Sequence, residues 1–205
     1  MPKIENCDIF GSYAQTEIGH GSDIQNLKTT ATYDKEKQEF VLHTPSLDAT
    51  KWWPGGLGST VNHALVVARI VIPEDDGEVN DYGVGMFIVQ IRDQDTHEHM
   101  PGIKTGQLGP KFGFSSADNG WMTMDHVRIK KDDMLSRFNY IDEDGCYSVN
   151  GDPRILFGTM IKTRILIFSG AYLAQLFVCL TSIRYSIVRR QFKNKEGDEI
   201  QLIDY

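Results

Sequence analysis

From Ile155 to Arg190 nothing in the sequence stops a helix: no proline occurs, and only Gly158 and Gly170 interrupt the pattern. A helix of about 30 residues is long for a globular protein and suits a bundle. Within it, Ile165 to Ile183 carries no charge over 19 residues, near the length of a membrane span. Ser169, Gly170, Gln175, Thr181 and Ser182 lie inside that run, and both flanks are positive, with Lys162 and Arg164 before it and Arg184 after it. Positive charge on both sides gives no orientation bias. The segment reads as a buried bundle helix, with no membrane span.

Before residue 151 the pattern differs. Short apolar or alternating runs are separated by turn residues. Leu27 to Tyr33 is β-branched and alternating, Asp34 to Lys37 reads as a turn, and Glu39 to His43 reads as the return strand. Ala64 to Ile72 is almost continuously apolar, the mark of a central strand buried on both faces. Pro73 to Tyr82 reads as an acidic surface loop and Gly85 to Ile91 as a further strand. Trp121 to Ile129 reads as one imperfectly alternating strand leading into a loop at Lys130 to Asp133. The fold class is therefore α+β: an antiparallel β-barrel or sandwich domain over residues 1–150, then the start of an all-α helical bundle over 151–205. Asp198 is placed to cap a last helix beginning at Glu199. A chain ending at Tyr205, so soon after a helix start, looks like a fragment.

Charge and motifs exclude several functions. The chain has 21 basic and 28 acidic side chains, net −7, a poor match to nucleic acid, which is bound by neutralising phosphates. Three scattered cysteines and no CxxC argue against a disulfide scaffold or a cysteine zinc site and for a reducing compartment. Met1 to Phe10 is no secretory signal, and the last residues are no peroxisomal tripeptide. Gly56-Leu57-Gly58 lacks the third glycine of a dinucleotide fingerprint, and no P-loop occurs. His97-Glu98-His99 reads as a solvated loop and Asp142 to Gly145 as a turn, since a calcium loop would need an oxygen ligand at Cys146 and a glutamate at Pro153. No metal site is expected.

Three segments carry information. Tyr13 to Asp23 (YAQTEIGHGSD) ends a strand in a glycine-containing loop, where Thr16 offers a hydroxyl and an N–H to a polar heterocycle edge; it also reads as a plain structural turn. Lys51 to Gly58 (KWWPGGLG) holds two adjacent tryptophans that in a strand face opposite ways, one toward the core and one toward a planar ligand. Gly55 and Gly56 leave open space beside them; the alternative is a sheet corner and turn. Arg184 to Phe192 closes the long helix with arginines, suited to the helix dipole or to a pyrophosphate.

In this order the three segments closely resemble the acyl-CoA oxidases of the acyl-CoA dehydrogenase superfamily. Tyr13 to Asp23 is similar to the superfamily's flavin-loop motif, and Lys51 to Gly58 to the oxidase branch. Thr29 to Asp34, Gly109 to Gly113, Asp118 to Gly120 and Arg184 to Arg189 resemble it too. The resemblance implies FAD as cofactor, a fatty acyl-CoA as substrate, and O2 reduced to hydrogen peroxide. The substrate is oxidised to the trans-2-enoyl-CoA in fatty acid β-oxidation. It implies that Thr16 hydrogen-bonds the flavin, that Trp53 lies beside the ring, and that Gly55 stands near its N5, leaving room for O2. It further implies that Ser22 sits near the acyl-CoA, that Arg189 reaches the FAD phosphates across a homodimer interface, and that the protein is peroxisomal. The family's catalytic glutamate has no counterpart here: Glu17 belongs to the flavin loop, and the catalytic residue is unassigned. The 205 residues alone are expected to be inactive. The alternatives are an acyl-CoA dehydrogenase passing electrons to a protein, or a non-catalytic interaction scaffold.

Overall fold

The computed structural model describes residues 2–74, 77–152 and 158–205. The chain forms two compact units, Met1–Gly151 and Asp152–Tyr205.

In the first unit, β2 (Thr30–Asp34) and β3 (Glu39–His43) form the hairpin that the alternation requires, with every second residue buried. Its buried row, Ala31, Tyr33, Phe40 and Leu42, faces the core. Beyond it, β1 (Gly11–Ala14), β5 (His63–Pro73), β6 (Val79–Gln90) and β9 (Val127–Lys130) complete a six-stranded sheet. Strand β5 is its axis. Along one edge it pairs with β6 throughout; along the other it pairs first with β1 and then with β2. Both of those last pairings are parallel, so the sheet is mixed where antiparallel pairing was expected throughout. Strand β5 is also not buried on both faces. Val66, Ala68, Ile70 and Ile72 are buried in the core, whereas on the other face Leu65, Arg69 and Val71 are partly exposed and Val67 alone of that row is buried.

A second, three-stranded antiparallel sheet holds β4 (Lys51–Gly55), β8 (Asn119–Met124) and β7 (Ile103–Gln107) in the order β4-β8-β7. The core contains Leu42, Phe87 and Val89 from the first sheet, Ile91 just after β6, and Ile103, Met122 and Met124 from the second. Phe40 packs edge-on against Phe87, ring centroids 4.9 Å apart. A hairpin of β10 (Asn139–Ile141) and β11 (Tyr147–Val149) closes the unit, and Asp142 accepts the Cys146 amide in its turn. Boundaries differ from the pattern reading: the first hairpin strand begins at Thr30 and takes in Asp34. The acidic loop is shorter, since β6 begins at Val79. Trp121 to Ile129 is two strands, because His126 takes a left-handed φ of 50° and turns the chain.

In the second unit, a 31-residue helix, Gly158–Val188, occupies the unbroken stretch. Ile155 to Phe157, the start of the expected helix, lie outside the described residues. Met160–Val188 is long and apolar enough to cross a membrane by length and composition. The expected helix after Asp198 is absent. The Asn194 carboxamide accepts the amides of Glu196 and Asp198, and Gly197 adopts φ +92°. That turn reverses the chain, so Glu199–Gln201 pairs as a strand with Arg190–Lys193, and a 3-10 turn follows at Leu202–Asp204.

Candidate functional site

The first and second informative segments lie side by side. Trp52 N–H donates to the Thr16 carbonyl (2.9 Å), Ile18 N–H to Thr50 (3.0 Å), and the Ser12 hydroxyl to the Gly55 carbonyl (2.8 Å). Thr16, Trp53 and Gly55 thereby stand on neighbouring backbone, although 37 residues separate the first two.

The tryptophans do not divide between core and surface as strand alternation implies. Trp52 is half-buried and pairs with Trp121 across to β8. Trp53 is 52% exposed and has φ +81°, rare for a bulky residue and unusual before proline. The register of β4 against β8 shifts between Trp52 and Gly55. Such a bulge re-aims a side chain, and the Asn119 carboxamide holds it by donating to the Trp53 carbonyl (2.8 Å).

The two glycines after Pro54 have different jobs. A Cβ on Gly55 would meet nothing within 4 Å, so the space beside it is open. A Cβ on Gly56 would come 2.7 Å from Val61 Cγ1, and its φ is +75°. Gly56 is there for the turn, not for a ligand. That turn is pinned: Arg92 donates to the carbonyls of Leu57 (3.1 Å), Gly58 (3.0 Å) and Val61, and Asp118 accepts the amides of Ser59 and Thr60 (both 2.9 Å).

Ser22 is exposed at the start of a 3-10 turn, its carbonyl accepting the Ile24 amide (3.1 Å). Arg189 belongs to the second unit, one residue past the helix, where it is exposed and its amide donates to the Tyr185 carbonyl (2.8 Å). The structure therefore unites Thr16, Trp53 and Gly55 on adjoining backbone. His97 and His99 turn to separate partners, the Ser59 carbonyl and the Thr105 hydroxyl. His43, Asp125 and His126 also gather, with one ligand atom from each within 4.8 Å of the others and the two imidazoles stacked at 4.0 Å and 26°.

Behind the edge is a feature that motif reading missed. Glu17 and Lys51 form an ion pair at 3.0 Å with both side chains fully buried. Lys51 Nζ also donates to the carbonyls of Gln15 (3.0 Å) and Val67 (2.6 Å). Glu17 accepts the amides of Lys28 (2.8 Å) and Thr29 (3.0 Å) and the Thr29 hydroxyl (2.6 Å). A signal existed: Glu17 is the lone acid or base between Asp8 and Asp23 apart from His20, and Lys51 stands alone between Asp48 and Arg69 apart from His63. Burial by itself would raise the Glu17 pKa, but the Lys51 charge, the Thr29 hydroxyl and the two amides outweigh it and hold the carboxyl below its ordinary 4.5. Burial lowers Lys51 to about 8, against the opposing pull of Glu17. A carboxyl depressed in the folded state stabilises the fold above its unfolded pKa and loses that contribution as pH falls through the folded value. Urea midpoints should therefore fall as pH drops below 4.5, and fall less steeply when Glu17→Leu and Lys51→Met are combined. Equal slopes would show that the pair does not contribute.

Residues 12–127, more than half the chain, match the family model for the acyl-CoA dehydrogenase middle domain, and residues 157–205 match that for the acyl-CoA oxidase C-alpha1 domain. The chain belongs to the acyl-CoA oxidase family. Peroxisomal acyl-coenzyme A oxidase 1 of Dictyostelium discoideum is 43% identical over 206 residues, covering 99% of this chain and 29% of that protein. The Homo sapiens protein of the same name is 43% identical over 198 residues, covering 96% of this chain and 29% of that one. Arabidopsis thaliana acyl-CoA oxidase 1 superimposes with a TM-score of 0.90 at 43% identity, over 100% of this chain and 31% of that chain. Acyl-CoA oxidase-1 of Caenorhabditis elegans, solved with FAD and ATP, gives 0.87 at 38% identity, over 100% and 30%. The chain thus spans less than a third of the acyl-CoA oxidases it matches, and the α+β arrangement of middle domain and helical segment is theirs.

Proposed function

We propose that this chain supplies the flavin-facing middle domain and first C-terminal helix of a peroxisomal, FAD-dependent acyl-CoA oxidase acting on fatty acyl-CoA. The observation that carries the reading is the exposed Trp53 indole beside the open space at Gly55, inside the segment that matches the acyl-CoA dehydrogenase middle domain. A planar ring fits there: an aromatic wall stands next to a position without a side chain. FAD, when bound, supplies the hydride acceptor for the acyl β-carbon and the electrons that reduce O2 to hydrogen peroxide.

The residues present bind and orient. Thr16, half-buried with its backbone fixed to Trp52, offers its hydroxyl to the polar rim of the ring. Trp53 covers one part of the ring and keeps water from it. Gly55 leaves a path for O2. Ser22 lies toward the acyl-CoA, and Arg189 reaches the FAD phosphates of the opposite protomer in a homodimer. Glu17 is not the base that removes the α-proton, because its carboxylate is buried and saturated by Lys51, Lys28 and Thr29. The exposed apolar side chains of the helix, Leu166, Phe168 and Phe177 among them, suit burial in a helical domain such as the one whose family model matches here.

The test is purification of the whole protein, its absorption spectrum, and peroxide release on a fatty acyl-CoA in air. A yellow protein that forms peroxide is expected. A protein that is colourless and takes up no FAD, or one that dehydrogenates acyl-CoA without consuming O2, overturns the reading. Trp53→Ala should weaken FAD binding about 3–10-fold, the scale of one lost aromatic pair. It should also restore part of the flavin fluorescence that the adjacent indole quenches. Unchanged affinity and unchanged fluorescence would remove Trp53 from the site.

A further inference from the structure

We propose that the buried Glu17–Lys51 pair is a positioning device that fixes Thr16 and Trp53 for the cofactor, an inference that rests on the flavin-facing reading of their edge. The geometry is specific. One ammonium group holds the carbonyl of Gln15 and the carboxylate of Glu17, the residues on either side of Thr16. The same lysine lies two positions before Trp53, and its third bond goes to Val67 on β5, the axis of the large sheet. All three donors of the ammonium are thereby used. The Glu17 carboxylate in turn ties the loop to the amides of Lys28 and Thr29 at the entry to β2. Neither charged group reaches solvent, and neither is on the exposed side of the edge.

Stability does not explain this arrangement. Two charges taken out of water are costly, and well-packed apolar residues of similar volume commonly hold a fold as well or better. What apolar residues do not supply is direction. Leucine and methionine at these positions fill the space but leave the 15–17 backbone to the main-chain bonds from Trp52 to Thr16 and from Ile18 to Thr50 alone, without the ties to Val67, Lys28 and Thr29, and a contact set loosely by its support binds poorly. Lys51 and Glu17 are thus positioning residues, acting through Thr16 and Trp53.

The experiment uses the whole protein with Glu17→Leu and Lys51→Met combined, so that no unpaired charge is left buried. Thermal unfolding of the apoprotein, FAD affinity and the flavin absorption band are measured beside the unmodified protein. The expected result is a folded apoprotein whose midpoint falls less than that of Lys51→Ala, an FAD Kd raised on the order of tenfold or more, as for other supporting contacts behind a bound group, and a shifted flavin band. Lys51→Arg, which keeps a charge toward Glu17, should recover part of the affinity. If the double variant does not fold, the pair is structural and the proposal is overturned. Equal Kd and an identical flavin band in a folded double variant overturn it as well. Failure of the unmodified protein to take up FAD would instead sink the flavin reading itself.

Discussion

Lys51→Ala is expected to destabilise the protein by about 3–5 kcal/mol. Truncation leaves the Glu17 carboxylate with no counter-charge in a site where both side chains are fully buried. It also strips the Gln15 and Val67 carbonyls of a donor, and each buried acceptor left without one adds its own desolvation cost. The loss should show as a large drop in the thermal midpoint of the whole protein or as failure to accumulate in soluble form. Removing both charges together should be milder, because no unpaired charge then stays buried, although the Gln15 and Val67 carbonyls still lose their donor. A Lys51→Ala protein with the unmodified midpoint would contradict the structure of the pair.

The second large effect concerns oxygen. Gly55→Thr in the whole protein should slow reoxidation of the reduced flavin by O2 roughly 10–100-fold, equal to about 1.4–2.7 kcal/mol in barrier. A threonine is tolerated there: its Cβ meets no atom within 4 Å, and Gly55 does not have the left-handed φ that strains a side chain. The added methyl and hydroxyl groups fill the space beside the ring without rebuilding the turn. Rapid mixing of the pre-reduced protein with O2 isolates this step from substrate oxidation. Oxygen reactivity equal to that of the unmodified protein would remove the argument from Gly55. The same substitution at the next residue is not a control for it, since Gly56 sits at positive φ against Val61 and would be expected to damage the turn.

Much of this was legible in the sequence where one local rule dominates. Glu39 to His43 forms the return strand as read, and its partner, read as Leu27 to Tyr33 with Asp34 in the turn, is Thr30–Asp34; the hairpin was legible because one face is buried and period-two patterning fixes register. The long helix was readable from the absence of breakers. Where tertiary partners decide, the reading failed. Leu65 and Val71 look like core residues in an apolar run, yet on that face of β5 only Val67 between them is buried; hydrophobicity alone does not say how much of each face is covered. Glu199 to Gln201 is a strand because Asn194 and Gly197 reverse the chain and Arg190 to Lys193 stands ready to pair.

The candidate site divides in the same way. Thr16, Trp53 and Gly55 were found as motif residues, but alternation placed one of the two indoles in the core. The bulge that sets the indole direction depends on Asn119, 66 residues from Trp53. The role of Gly56 was misread because its neighbour Val61 appears only in three dimensions. Glu17 and Lys51 were quoted within their motifs with no sign that they meet, since a lone charge in an uncharged stretch says that it needs a partner but not which one.

The most direct measurement is a crystal structure of the whole protein carrying its FAD. The isoalloxazine should lie against the Trp53 indole and over the gap at Gly55, with the Thr16 hydroxyl within hydrogen-bonding distance of its rim. A ring bound elsewhere, with Trp53 and Thr16 left in solvent, would contradict the account.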